Sequence, residues 1–394
     1  MSIRKAVIDI SMKQQDFSTN SSGQVIRTPK GYWVFLPASL PPSLEWTPDL
    51  ITILGEAERA LAELNWVGRN FPEPHVMVRS FIAQEAVMSS RIEGTRASLD
   101  DVLNYEAAQL SFLEPNSDAR EVHNYIVALD HGLARLATLP VSLRLIREVH
   151  QKLMEGVRGD MWTPGEFRRS QNWIGPAGST LETAPYVPPP PDEMLLSLGE
   201  LEHFIHADTN LPPLVRIGLI HYQFEAIHPF LDGNGRVGRL LIMLLLSQWE
   251  LLAQPLLYLS SYFEKNRSEY YRCLLAVSQQ GKWGSWLIFF LTGMRDQARE
   301  ATQRVQALQA LREKYQLLIS SQRNSARLNR LIDFLIGHPV ITIRQVENGL
   351  GIKDYKIAQR QIAQLIEAGI LRELTGKSRN RIYRADEVLA TIRG

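Results

Sequence analysis

The chain has 394 residues, of which 45% are hydrophobic and 22% charged, and a formal net charge of +1. That length calls for two or three folding units, the composition excludes a disordered chain, and the near-neutral charge excludes binding of nucleic acid through the whole surface. A single cysteine, Cys273, excludes an intrachain disulfide and fits a reducing, cytoplasmic compartment.

Arg4, Lys5, Asp9, Lys13 and Asp16 leave no apolar stretch for a secretory signal at the start. Residues 1–45 mix polar residues with Pro37, Pro41 and Pro42, and read as an irregular arm or a short strand pair. From Pro48 the pattern turns helical: Ile51, Leu54, Ala57, Leu61 and Leu64 recur at three- and four-residue steps, as one buried helix face requires. Further amphipathic runs cover residues 76–92, 119–136 and 142–154. Residues 167–191 have another texture, with Gly175, Pro176, Gly178, Pro185 and four prolines from Pro188 to Pro191 around β-like pieces at 173–174 and 186–187. They read as a hairpin flap set into a helical domain, with a polyproline linker as the alternative. Helical patterns resume over 193–319. The most apolar stretch, 240–259, is interrupted by Gln248, Glu250, Gln254 and Pro255, so it reads as a buried helix and no membrane partner is expected.

Residues 320–327 read as a polar linker. Residues 328–394 follow the order helix, helix ending at a glycine, helix, then strand, turn (375–380) and strand, which suits a winged helix-turn-helix. Twelve Lys and Arg in or beside this segment stand against seven acids, with 355–368 as recognition helix and Lys377 to Arg381 as wing. That charge leaves DNA and a protein as alternative partners. The expected organisation is an arm and helix (1–75), a mainly α domain (76–319) and the winged helix (328–394).

The segment from His228 to Arg239 concentrates the chemistry. Gly233 and Gly235 let the backbone bend closely around a ligand and lead into an apolar helix, whose free N–H groups form an anion site. Arg236 and Arg239 share a face just inside that helix start, where two guanidiniums oppose the dipole and repel each other unless an anion lies between them. Asp232 offers a hard oxygen for Mg²⁺, and His228 a base that works near neutral pH. Gly233, Gly235 and Gly238 formally match a dinucleotide fingerprint, but the preceding residues 220–227 read as helix and no βαβ alternation surrounds them. An EF-hand fails because its sixth position would be Val237 and its twelfth Met243. There is no Walker-type loop.

At these residues the chain resembles the Fic family, whose signature is H-x-F-x-D-G-N-G-R-x-x-R. His228, Phe230, Asp232, Gly233, Asn234, Gly235, Arg236 and Arg239 occupy every specified position. The resemblance implies an all-helical core that binds ATP and Mg²⁺ and transfers AMP to a Ser, Thr or Tyr hydroxyl of a protein, itself included. By the same resemblance His228 deprotonates the target hydroxyl, Phe230 packs the loop and Asp232 holds Mg²⁺. Asn234 and the backbone from Gly233 to Arg236 cradle the phosphates, Arg239 holds the γ-phosphate, and the flap docks the target. Tyr258, Asn266, Tyr270 and Tyr271 either border the adenine or are plain packing. Homodimers are common in the family, and other members transfer phosphocholine, UMP or phosphate.

Upstream, residues 89–94 resemble the family's inhibitory helix, [S/T]-x-x-x-E-[G/N]. Ser89 and Glu93 lie four apart on one helix face, and Glu93 paired with Arg239 would take the arginine that the γ-phosphate needs. The alternative is an ordinary helix end with Glu93 solvated and Gly94 as C-cap. Two other functions fit the same residues: a DNA-binding regulator whose Fic site senses nucleotide or modifies its own chain, and removal of AMP with Glu93 positioning a water.

Overall fold

The computed structural model describes residues 12–17, 22–71, 74–108, 117–157, 163–176, 178–322, 324–376 and 380–393. The N-terminal arm forms a strand pair, β1 (Gly23–Arg27) and β2 (Trp33–Pro37), antiparallel with Val25 opposite Phe35. Helix α1 (Pro48–Asn70) starts where the Thr47 side chain accepts from Leu50 N and Pro48 occupies the first turn. It buries Leu50, Ile53, Leu54, Ala57, Leu61 and Leu64, whereas Ile51, expected on that face, is 55% exposed. The buried stripe begins one residue earlier because Leu50 and Leu54 already complete the i, i+4 row against the long helix at Trp283–Leu318.

Helix α2 (Pro74–Ile92) leads to a short α3 (Leu99–Ala108), which the sequence reading lacked, and then to α4 (Ser117–Arg135) and α5 (Leu143–Leu153). After the flap come α6 (Pro191–His206), α7 (Pro213–Ile227), α8 (Asn234–Gln248), α9 (Ser260–Lys265), α10 (Arg267–Gln280) and α11 (Trp283–Leu318). Residues Leu240 to Leu246 of α8 are all buried, so this helix is surrounded by the others. Among the described residues no helix is long and apolar enough to cross a membrane.

The flap holds less sheet than expected. Its limbs share a single antiparallel bridge, Ile174 with Tyr186. Prolines donate no hydrogen bond to a ladder, and Pro185 and Pro188 bracket the bridge. The second limb instead joins the N-terminal arm, where Met12 N donates to Ala184 O and Phe35 N to Val187 O. Pro190 and Pro191 then open α6.

The C-terminal segment runs α12 (Ser325–Gly337), β3 (Val340–Thr342), α13 (Ile343–Leu350), α14 (Tyr355–Glu367), β4 (Arg372–Glu373), β5 (Ile382–Arg384) and α15 (Asp386–Arg393). Its strands form one antiparallel sheet in the order β3-β5-β4. Thr342 and Gln345 form a reciprocal capping box at the start of α13, and Gly351, in the left-handed region, ends it. Helix α12 begins inside the expected linker, and α15 was not foreseen; Lys377, Ser378 and Arg379 of the expected wing lie outside the described residues.

Candidate active site

The turn between α7 and α8 is held from several sides. His228 takes a left-handed conformation (φ 50°), unfavourable for a residue with a Cβ. Its carbonyl accepts from Arg168 Nε (2.9 Å) and Asn172 Nδ2 (3.3 Å), and Asn172 also donates to Phe230 O (2.8 Å). Arg168 is buried and donates as well to the carbonyls of Ser170 and Pro189; burial lowers its pKa to about 10. Phe230 is fully buried and stacked on His150, with ring centroids 3.7 Å apart. Gly165 N donates to His150 Nδ1 (2.8 Å), so the imidazole proton sits on Nε2 and is donated to Asp232 O (3.1 Å). Burial lowers the His150 pKa to about 4, which keeps that tautomer neutral. Asn234 folds its amide onto the backbone of Phe230, accepting from N and donating to O, both at 2.8 Å. Its side chain therefore shapes the loop, and its backbone belongs to the helix start.

Within this frame several polar groups remain available. Gly233 (φ 79°) precedes α8 without a side-chain cap, which leaves the N–H groups of the first turn to a ligand. Asp232 is half-exposed. Arg236 is 5% exposed and lies 3.7 Å from both Glu121 and Asp232, yet its Nε and Nη1 have no hydrogen-bond partner among the described residues. A buried guanidinium with unsatisfied donors is costly until an acceptor arrives. His228 Nδ1 donates to Glu225 O (3.3 Å), which leaves Nε2 with the free lone pair. Burial, reinforced by the Arg168 charge, lowers the His228 pKa to about 4, so it is an unprotonated base at neutral pH.

Arg239 is buried and engaged through Nε and Nη2. Its Nε donates to Ser89 Oγ (2.8 Å), and its Nη2 donates to Ser89 O (2.9 Å) and Glu93 Oε1 (2.7 Å). Enclosure favours the neutral form of Glu93, but the charge and hydrogen bond of Arg239 prevail and lower its pKa. The Glu93 carboxylate also lies over the start of α8, where a Cβ placed on Gly235 would collide with its Oε1. Glu225 stands nearby: burial raises its pKa to about 7, Arg239 opposes the shift and Glu93 adds to it.

Tyr270 is 1% exposed, stacked on Phe263 with centroids 4.5 Å apart, and its hydroxyl lies 2.7 Å from His221 Nε2. Tyr258 packs beneath Phe81 and Arg304, Asn266 donates to Tyr262 O, and Tyr271 is 40% exposed beside Arg267. His228, Asp232, Gly233, Gly235, Arg236, Arg239 and Glu93 thus gather around the α7–α8 turn, while Tyr270 turns its hydroxyl inward to His221. Arg168, Asn172 and His150, which hold the loop, escaped the sequence reading because each acts on a backbone carbonyl far away in the chain.

A model described as the Fic/DOC family matches residues 140–246, and one described as its N-terminal region matches residues 51–134. Over residues 51–246 the chain belongs to the Fic family. Among curated relatives, the protein adenylyltransferase Fic of Drosophila grimshawi is 31% identical over 164 residues, 40% of this chain and 30% of that protein. The protein of the same description in Drosophila virilis is 33% identical over 131 residues, 32% of this chain and 25% of that protein. The chain thus matches less than a third of the length of these curated relatives. The crystal structure of a Fic family protein from Desulfovibrio desulfuricans G20 superposes with a TM-score of 0.57 at 22% identity, covering 88% of this chain and 98% of that one. That likeness shows the mainly α Fic fold over most of the chain.

Proposed function

We propose that this Fic protein is a protein adenylyltransferase that moves AMP from ATP to a hydroxyl of a protein and is held back by Glu93. The observation that carries the reading is the start of α8, where uncapped N–H groups, the unsatisfied Arg236 and the buried Arg239 surround one crevice beside the free Nε2 of His228. In the step proposed, His228 Nε2 takes the proton of the target Ser, Thr or Tyr hydroxyl. The oxygen then bonds to the α-phosphorus, the α–β phosphoanhydride bond breaks, and pyrophosphate leaves with its negative charge held by the helix start and Arg239. Among the described residues no cluster of three His, Cys, Asp or Glu would hold a metal alone. A half-exposed Asp232 therefore suits Mg²⁺ carried in on the nucleotide, which needs one or two protein carboxylates and would neutralise phosphate charge. Label from α-³²P-ATP, but not from γ-³²P-ATP, should appear on protein in a cell lysate; label from the γ position alone would mean phosphate transfer.

A second reading concerns the C-terminal segment, which we interpret as a winged helix-turn-helix that docks on DNA. It is favoured by an excess of positive charge: four of the segment's seven acids are held in ion pairs, and Glu347, Asp354 and Glu367, which are in none among the described residues, face five exposed bases. Asp333, Glu373, Asp386 and Glu387 are paired with Arg312, Arg381, Arg372 and Lys314. The exposed Arg327, Arg344, Lys353, Lys356 and Arg360 of the α12–α14 face have no such pairing among the described residues. Binding of a short duplex should weaken as salt rises, and Lys356→Glu with Arg360→Glu should lower the salt slope by about two. Salt-independent binding, or none, would remove DNA as the partner.

A further inference from the structure

Helix α2, which carries Ser89 and runs straight into the turn at Glu93, is held by two different bodies. On one side the domain core holds it through buried Glu85, which accepts from Ser260 N (3.1 Å), Ser260 Oγ and Tyr125 Oη (3.1 Å). On the other side lie α12 and α15 of the C-terminal segment. Buried Ser80 Oγ bonds to the carbonyls of Ile336 (3.0 Å) and Gly337 (3.2 Å), which end α12 and have no partner within that helix. Beyond Glu93, Arg393 of α15 pairs with Asp100 in the first turn of α3, and β3 lies along α3. The C-terminal segment therefore grips the chain both before and after Glu93.

The grip is anchored in turn to α11. Arg312 pairs with Asp333 (2.6 Å), Lys314 with Glu387 (2.8 Å), and Arg304 Nη1 donates to Ile392 O (3.0 Å). Helix α2 is continuous from Pro74 to Ile92. Ser80 and the Glu93 end are thus about 20 Å apart along one stiff rod. A slide or rotation of that rod moves Glu93 and breaks the Ser80 bonds together, since neither end can shift alone without unwinding a turn.

We propose that the C-terminal segment is a clamp on α2 that fixes Glu93 against Arg239, with the Glu93 brake as its premise. A partner that draws the segment away from α2 then releases the site, whereas ATP alone must compete against a gripped helix. The surface to be freed is the one formed by Ser80, Asp100, the end of α12 and Arg393, not the crevice itself.

The test is made in the full chain with Ser80→Ala, Arg393→Asp and the charge swap Arg393→Asp/Asp100→Arg, each with and without Glu93→Gly. Label transfer from α-³²P-ATP and amide hydrogen exchange over residues 86–94 are both read. Ser80→Ala and Arg393→Asp should raise transfer about three- to tenfold and speed exchange, as expected for loss of a hydrogen bond or ion pair of modest strength. The charge swap should return both readings toward those of the parent, and in the Glu93→Gly background the single changes should no longer affect transfer. Unchanged exchange and transfer would overturn the clamp, and so would the same rise in transfer with Glu93 absent. Exchange reports on the clamp whatever group the site transfers. Absence of label even with Glu93→Gly, with exchange still responding to Ser80→Ala, would count against AMP transfer and not against the clamp.

Discussion

Replacing Glu93 with glycine raises label transfer from α-³²P-ATP by about ten- to a hundredfold. On the function proposed above, the carboxylate obstructs a bound nucleotide in two ways. It holds Arg239 Nη2 at 2.7 Å, and it fills the space over Gly235 in which a phosphate would meet the first N–H groups of α8. A hydrogen bond to a charged group contributes about 1.5–3 kcal/mol, and each 1.4 kcal/mol is a factor of ten. Glu93→Gly removes that competition and leaves Arg239 hydrogen-bonded to Ser89. Without nucleotide the variant carries a buried cation whose carboxylate is gone, so its melting temperature should fall. ATP should restore much of that loss in the variant and stabilise the parent chain far less. Glu93→Gln separates charge from volume: it still fills the space over Gly235 but holds Arg239 less strongly, so its transfer rate should lie between those of the parent and Glu93→Gly. An unchanged rate in both variants would leave the Glu93–Arg239 pair a structural contact.

The parts legible in the sequence are those whose partners are close in the chain. Eight specified residues of the signature fall between His228 and Arg239, and the i, i+4 spacing of Ser89 and Glu93 places both on one face without knowledge of the fold. The N-terminal strand pair, one of two readings of that arm, and the succession of α12, α13, α14, β4 and β5 were legible for the same reason, since turn residues and periodicity are local signals, whereas the three-residue β3 was too short to show. The holding residues were not. Arg168 reaches a carbonyl 60 positions away and His150 one 82 positions away, and a bond to a backbone oxygen leaves no side-chain pattern to recognise. In the flap the two pieces expected at 173–174 and 186–187 do pair, through Ile174 and Tyr186, while its prolines limit the ladder to that one bridge and its second limb also joins the N-terminal arm, which no local signal shows. The docking of α12 and α15 on α2 has no local signature, since Ser80, Asp100 and Arg393 are ordinary residues until the fold brings their partners to them.

In the Glu93→Gly background, His228→Ala lowers transfer by about a hundred- to ten-thousandfold, the range for loss of a positioned general base. Affinity for ATP should change little, because in the proposed step His228 Nε2 serves the incoming hydroxyl and the phosphates are left to α8 and the arginines. A second variant, His228→Asn, guards against a trivial failure: asparagine adopts the left-handed conformation of residue 228 more readily than alanine, so loop geometry is kept while the base is lost. Both variants should therefore be equally inactive and bind ATP alike. The pH profile adds a test independent of mutation. Burial and the Arg168 charge lower the His228 pKa to about 4, below the ordinary value of 6.5. The base is thus unprotonated throughout the neutral range; loss of the Glu93 charge lowers that pKa further, so transfer by Glu93→Gly should stay level from pH 8 to about pH 6 and fall only at about pH 4 or below. Arg168→Gln removes the nearby positive charge, so it should raise the His228 pKa and move that fall to higher pH. A fall centred near 6.5 in the unsubstituted loop would mean that the base is a solvated group rather than the enclosed imidazole bonded through Nδ1 to Glu225 O.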